Sequence, residues 1–539
     1  MGDYPMRERV FGRIFADKAQ KLGDKTFLKF EDRRYGYAEA EAISNRVANG
    51  LAGLGIARGQ HVAVFMNNCP EQLWLFFALC KLGACVVPIN TAAKGELLLY
   101  YLEQSDASSF IVERALAERW LEVQARATKV VRAVLLDEAG PAPAELAARF
   151  RVPVTDYREL EKAPETPPEA EVRHSDLSFL SYTSGTTGPS KGNMATHAHM
   201  LTCGMEAARL YGYRADDVIF TCLPLFHGNA WLVSCLPAIA AEATLAVSRW
   251  FSASKFWDET RHYGATQFNA LGAMINIIWA QPARADDADN PVRQCMCVPT
   301  PSEIYHAFER RFALRLTTLY GLTDFGLVTY KGVEAPAEKW ASAGRVRPEV
   351  ALRIVDDDDF ELPAGEVGEI VLRAREPWFQ PLGYYNMAEA TLAAWRNLWF
   401  HTGDRGRLDE DGWLYFVDRK KDAIRRRGEN ISSYEVEQIV MRHAAVAEAA
   451  AFAVPSEMSE DEVMVSVVLR PGARLDEAGL IGFCQANMAY FMVPRYVEFR
   501  SELPRTMSEK VEKYKLREAA VARLPEIWDR EKAGVEVKR

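Results

Sequence analysis

Four hydroxyl side chains, Thr183, Ser184, Thr186 and Thr187, and three glycines, Gly185, Gly188 and Gly192, stand within ten residues of one another, together with Lys191. Such a stretch can wrap phosphate. Glycine lets the backbone approach a ligand at positive φ, hydroxyls and successive N–H groups donate to phosphate oxygens, and the lysine adds a mobile point charge. It is not a P-loop, which needs Gly directly before Lys and Ser or Thr directly after; here Ser190 precedes Lys191 and Gly192 follows. A flexible Ser/Gly linker has similar composition, but the apolar run Leu177–Tyr182 leads straight into this stretch and reads as a buried strand.

Further chemistry is carried by Leu223-Pro-Leu-Phe-His227, Tyr320-Gly-Leu-Thr-Asp324, His401-Thr-Gly-Asp404, Asp418-Arg419 and Pro504-Arg-Thr-Met-Ser-Glu-Lys510. Taken singly, each has a plain structural reading: Tyr320 as a core aromatic, Asp404 as a turn acid, Lys510 as a surface lysine beside Lys513 and Lys515. The acid run Asp356–Asp359 invites a metal site, but adjacent carboxylates in a turn more often form a solvated tip.

These residues need a scaffold. The first 150 residues alternate strand-like and helix-like pieces, as in His61–Met66, Glu71–Leu82 and Ala84–Ile89. That alternation predicts βαβ units on a parallel sheet. The Pro- and Glu-rich stretch Glu161–Asp176 reads as a surface connection to the phosphate loop. A second series follows in Val218–Leu223, Ala243–Val247, Ala265–Asn269, Cys295–Val298 and Arg315–Leu319, predicting a second α/β layer. From Val350 the pattern turns to hairpins, with Asp356–Asp359 and Pro363-Ala-Gly365 as turns. Beyond Arg419 a hairpin over Gly412–Arg425, a helix opened by the capping box Ser432-Ser-Tyr-Glu435, and a strand over Val463–Leu469 are expected, followed by another helix and strand. The expected fold is a large α/β N-terminal domain, residues 1–420, of two βαβ-type layers and a small β-barrel. A hinge joins it to a small α+β C-terminal domain, residues 421–539.

A chain of 539 residues has ample length for two or more cores. Its net charge of −9 argues against a polyanion-binding surface, and no nucleic-acid partner is expected. The nine cysteines show no metal-type spacing and scatter through apolar segments, which predicts reduced thiols and a cytoplasmic location. The apolar runs Leu73–Ile89 and Leu223–Val247 are interrupted by Lys81, Gly83, His227, Asn229 and Glu242, so no membrane span is expected.

In order and spacing, the motifs resemble the adenylate-forming superfamily of acyl-CoA synthetases, adenylation domains and luciferases. Within it, Phe483–Met488, Val493–Phe499 and Arg427–Ser433 look most like crotonobetaine/carnitine-CoA ligases. The resemblance implies an ATP-dependent carboxylic acid:CoA ligase that forms an acyl-adenylate, releases pyrophosphate and then makes a thioester. The acid would be carnitine- or crotonobetaine-like, or short to medium in length. ATP, Mg²⁺ and coenzyme A are the implied small molecules, and the oligomeric state is left open, homodimer included. Thr183, Ser184, Gly185, Thr186, Thr187, Gly188 and Lys191 would hold the phosphates, with Tyr320 stacked on adenine, Gly321 also binding the nucleotide and Thr323 toward phosphate. Asp324 would serve the metal, Asp404 and Arg419 the ribose, and Lys510 the reacting α-phosphate as catalytic residue. His227 and Trp231 would line the acyl pocket, Lys421 would be the hinge and Gly428 would face the CoA tunnel.

Three positions depart from the family pattern. Asp324 replaces the usual Glu and is one methylene shorter; Glu509 replaces Gly and sets a negative charge beside Lys510; Cys297-Val-Pro299 replaces Gly-Ala-Pro near the adenine. Two other functions share these motifs: an adenylating enzyme that loads a carrier protein in trans, and a nucleotide-binding homologue impaired in catalysis.

Overall fold

A computed structural model describes residues 4–183, 189–300, 304–419, 423–457, 460–504, 511 and 513–538. They fall into two compact units: Met1–Thr91, Leu102–Ser181 and Gly192–Asp418 in one, Ala92–Tyr101, Tyr182–Lys191 and Arg419–Arg539 in the other.

Two seven-stranded sheets dominate the larger unit. One runs in the order Val154–Asp156, Arg132–Leu136, Ser109–Glu113, His61–Phe65, Cys85–Pro88, Leu177–Thr183 and Lys191–Thr196. Its pairings from Val154–Asp156 through Leu177–Thr183 are parallel, with Val62 opposite both Val86 and Ser109. His61–Phe65 is buried at every position, as a strand covered on both faces must be. The connecting helix Pro70–Leu82 starts on a proline that needs no intrahelical N–H partner, and buries residues on all sides. Phe77 packs between Phe11, Phe15 and Phe27, with ring centroids 4.6–5.8 Å apart.

The second sheet runs Arg315–Thr317, Gln294–Val298, Gln267–Leu271, Val218–Thr221, Thr244–Val247, Thr26–Phe30 and Arg33–Gly36. Its last two strands come from the N-terminus: Leu28 pairs in parallel with Leu245, across more than two hundred residues. The sequence reading placed this segment with the first layer. Nothing local marks the exchange, because a parallel partner is chosen by tertiary packing.

The expected small barrel takes the form of a curled four-stranded antiparallel sheet, Val350–Val355, Gly368–Ala374, Phe400–Leu408 and Leu414–Arg419, accompanied by two short two-stranded ribbons. Of the Asp356–Asp359 turn, Asp357 and Asp358 are exposed, but Asp359 is bound by Arg396 and Asn397. Asp356 Oδ1 accepts from the Asp358 and Phe360 N–H groups at 3.0 and 2.9 Å, so the turn is a tip held from within as well as from outside. The hairpin expected over Gly412–Arg425 does not form: Leu414–Arg419 stays in the curled sheet, while Ala423–Arg426 pairs with Glu429–Ser432.

The smaller unit carries the sheet Val446–Pro455, Asp461–Leu469, Tyr496–Arg500 and Trp528–Asp529, with helices Ser433–Val440, Glu477–Asn487 and Lys513–Ala522. Phe452, Met464, Tyr496, Leu516 and Ile527 share its core. Arg495 grips Asp529 through two hydrogen bonds, the bidentate geometry that makes a partly buried pair strong. All nine cysteines are free and buried. No helix of the described residues is long and apolar enough to cross a membrane.

Candidate active site

In the larger unit, the ribbon Gly321–Leu322 and Gly326–Leu327 is closed by a turn in which the Phe325 N–H donates to the Leu322 carbonyl at 3.1 Å. Thr323 and Asp324 are the central residues of that turn, so both project from its tip. Two side chains far away in sequence fix it. Asn193 donates to the Thr323 carbonyl at 2.6 Å, and the Tyr384 hydroxyl donates to Asp324 Oδ2 at 3.2 Å. Burial pushes the Tyr384 phenol well above its ordinary range, so it remains a donor.

Tyr320, which precedes the ribbon, is 7% exposed, and its backbone N–H donates to Thr329 Oγ1 at 2.8 Å. Its hydroxyl donates to Asp404 Oδ2 at 2.8 Å. The aromatic residue of one motif and the carboxylate of another thus meet. Thr318 Oγ1 donates to the Cys297 carbonyl at 2.6 Å, which ties the Cys297–Pro299 segment to the strand leading into Tyr320.

Asp404 is 4% exposed and sits on an interrupted stretch of ladder. Glu369 faces Arg405 and Val371 faces His401, so Thr402, Gly403 and Asp404 stand opposite Ile370 alone. Gly403 takes φ +71°, which only glycine adopts freely. Thr402 Oγ1 donates to the Ile370 carbonyl at 2.7 Å and accepts from the Asp404 N–H at 3.0 Å.

His227 caps the short helix Gly228–Ala230, and a π-helical turn follows at Trp231–Cys235. Single π turns inside helices often mark functional sites. Trp231 is 1% exposed; its ring stacks on Phe76 with centroids 3.8 Å apart, and its indole N–H donates to the Leu225 carbonyl at 2.7 Å. Asn68 holds the segment before His227, accepting from the Leu225 N–H at 2.8 Å and donating to the Leu223 carbonyl at 3.0 Å.

Of the sequence-predicted residues in the smaller unit, Thr183 ends one strand and Lys191 begins the next. Arg419 ends the strand Leu414–Arg419. Arg427 and Gly428, at φ +51° and +85°, form the two-residue turn between Ala423–Arg426 and Glu429–Ser432. Positive φ at both central positions is the tight-hairpin geometry. The Gly428 N–H donates to Glu460 Oε2 at 2.8 Å. Glu435, expected in a capping box, accepts from the Ser190 N–H at 2.8 Å, and burial pushes its carboxyl up to about 6. Ser184, Gly185, Thr186, Thr187, Gly188, Lys421 and Lys510 lie outside the described residues, as does Glu509.

Sequence reading missed Asn193, Tyr384, Glu369 and Asn68. Each acts on a motif elsewhere in the chain, and the local signal is a polar side chain within a buried segment.

The sequence matches the family model of the AMP-binding enzyme over residues 15–385 and that of the AMP-binding enzyme C-terminal domain over 435–510. It is 34% identical over 517 residues to a crotonobetaine/carnitine–CoA ligase of Salmonella paratyphi C, covering 94% of this chain and 98% of that protein. Among solved structures, the amide bond synthetase McbA from Marinactinospora thermotolerans is similar with a TM-score of 0.81 at 24% identity, covering 94% of this chain and 99% of that one. A double mutant of o-succinylbenzoate CoA synthetase from Bacillus subtilis, bound to a product analogue, is similar with a TM-score of 0.80 at 24% identity, over 94% and 98% of the two chains.

Proposed function

The chain belongs to the AMP-binding enzyme family, and from that premise we propose how its residues divide the work of an AMP-forming acid:CoA ligase. The acid's carboxylate oxygen attacks the α-phosphorus of ATP; a new P–O bond forms as the bond to the bridging oxygen of pyrophosphate breaks. The CoA thiol, losing its proton, then attacks the acyl carbon, and AMP leaves.

The observation that carries this reading is the contact between Tyr320 and Asp404, which joins an adenine-stacking face to a ribose-accepting carboxylate. Asp404 accepts from the ribose hydroxyls and Arg419 donates to the same sugar. Residues 183–188 and Lys191 hold the phosphates, with Thr323 beside them. Asp324 at its turn tip is a single carboxylate, which suits Mg²⁺ carried in mainly by phosphate oxygens and water. Bound there, the cation would neutralise charge on the phosphates. Lys510 bridges the substrate carboxylate and the α-phosphate, stabilising charge that develops in the transition state. The C-terminal domain turns about Lys421, exchanging Lys510 for the Gly428 loop when CoA reacts.

His227 and Trp231 shape the acyl pocket. A pocket of this kind suits an apolar acyl tail, and a trimethylammonium-bearing acid agrees with the name of the 34% identical Salmonella protein. The free, buried cysteines suit the cytoplasm. The test is acid-dependent pyrophosphate release with carnitine and crotonobetaine beside short, branched and aromatic acids, followed by thioester formation on free CoA. Release without a thioester would point to a carrier-protein acceptor. No release with any acid would leave only nucleotide binding.

A further inference from the structure

We propose that Glu369 and His401 are positioning residues for Asp404, locking the bulge that aims its carboxylate at the nucleotide's ribose; the inference rests on the ribose role of Asp404 given above. Three residues opposite one make a long bulge, and bulges serve to re-aim a side chain next to an active site. Left alone, such a bulge would be loose, because its backbone groups have left the ladder. Here its apex is tied down. Glu369 Oε1 accepts from the Gly403 N–H at 3.2 Å, while Glu369 Oε2 lies 3.4 Å from His401 Nδ1. The other ring nitrogen, Nε2, lies 3.9 Å from Asp359 Oδ1. One carboxylate, 7% exposed, therefore holds the residue at the foot of the bulge and the residue at its top.

The hydrogen bond from Asp404 N–H to Thr402 and the one from Tyr320 to the Asp404 carboxylate then set the aim. Removing Glu369 leaves the half-buried Gly403 N–H without this acceptor and takes away the carboxylate beside His401 Nδ1. The bulge, and Asp404 with it, loses its fixed direction. A merely structural Glu369 would lower stability and leave recognition of the sugar unchanged.

Discrimination between ATP and 3′-deoxy-ATP separates the two cases, because it reads the hydrogen bond to the missing hydroxyl. The native enzyme is expected to prefer ATP in kcat/KM by about 10-fold or more. Glu369→Ala should bring that preference close to unity and raise KM for ATP about 10-fold or more, with kcat at saturating ATP within about 3-fold and KM for the acid unchanged. Glu369→Gln keeps a carbonyl acceptor for the Gly403 N–H, so it should retain part of the preference even if the alanine variant folds poorly. His401→Phe should fall between them. Native preference in both Glu369 variants, beside an Asp404→Asn control that loses it, would overturn the inference and leave the ribose role of Asp404 standing. An Asp404→Asn enzyme that still preferred ATP would remove that role, and the inference with it.

Discussion

The hydroxyl of Tyr320 donates to Asp404 Oδ2 at 2.8 Å across 84 residues of sequence. The phenol and carboxylate orient each other, so the ring proposed to stack on adenine also fixes one lone pair of the proposed ribose acceptor. Tyr320→Phe keeps the ring and deletes only that donor. A net hydrogen bond of roughly 0.5–1.5 kcal/mol predicts a rise in KM for ATP of about 2- to 12-fold with kcat little changed. Tyr320→Ala also loses the stacking face and should cost more. Equal KM values for the native and Phe enzymes would show that the contact contributes nothing to nucleotide binding.

A second carboxylate, Asp324, is held by Tyr384 at 3.2 Å, which bears on its short reach. If the metal is met through water, Asp324→Glu should retain activity with an equal or lower Mg²⁺ requirement. Asp324→Ala should raise the Mg²⁺ needed for half-maximal rate about 10-fold, and Tyr384→Phe about 2- to 3-fold. Mg²⁺ titrations of the three variants check this. An unchanged requirement in the alanine enzyme would take Asp324 out of the metal's surroundings.

The contrast between these pairs and their motifs explains what the sequence made legible. Tyr320, Asp324 and Asp404 stand in short runs where a turn residue and a chemical group must lie side by side, so both are visible together. Tyr384, Asn193 and Glu369 act across 60, 130 and 34 residues respectively, and no local pattern records such contacts. His401 stood in its motif, but its place beside Glu369 depends on strand register. The parallel layers were legible because Val62–Phe65 and Cys295–Val298 are continuous apolar runs between helices. The exchange of Thr26–Phe30 into the second sheet was not, since a short apolar strand fits either layer equally well.

His197 gives a pH prediction for stability. Buried, with Nδ1 accepting the Phe11 N–H at 3.3 Å, its imidazole is pushed down to about 4 by desolvation, against a weaker opposing pull from Asp176. Between that value and the ordinary 6.5 the unfolded chain binds the extra proton, so stability is full above pH 6.5 and falls as pH drops toward 4. At pH 5 the loss from this one group is about 2 kcal/mol. Urea midpoints at pH 7.5 and 5.0 should converge in His197→Gln relative to the native chain. An identical pH response in the two proteins would show that His197 is not responsible.

The last prediction separates a CoA ligase from a protein that only adenylates. Proline at position 421 fixes φ near −65°, obstructing the dihedral change by which a hinge exchanges one conformation for another. Lys421→Pro should therefore keep acid-dependent pyrophosphate release in a single turnover and lose thioester formation with CoA. Lys510→Ala should do the reverse: adenylate formation falls by about two to four orders of magnitude, while thioester formation from supplied acyl-adenylate is much less affected. The pair of variants forms a cross-test, because general unfolding would depress both half-reactions in both proteins. Normal CoA turnover with proline at 421 would move the pivot elsewhere, and equal losses in both half-reactions for Lys510→Ala would remove that lysine from the α-phosphate.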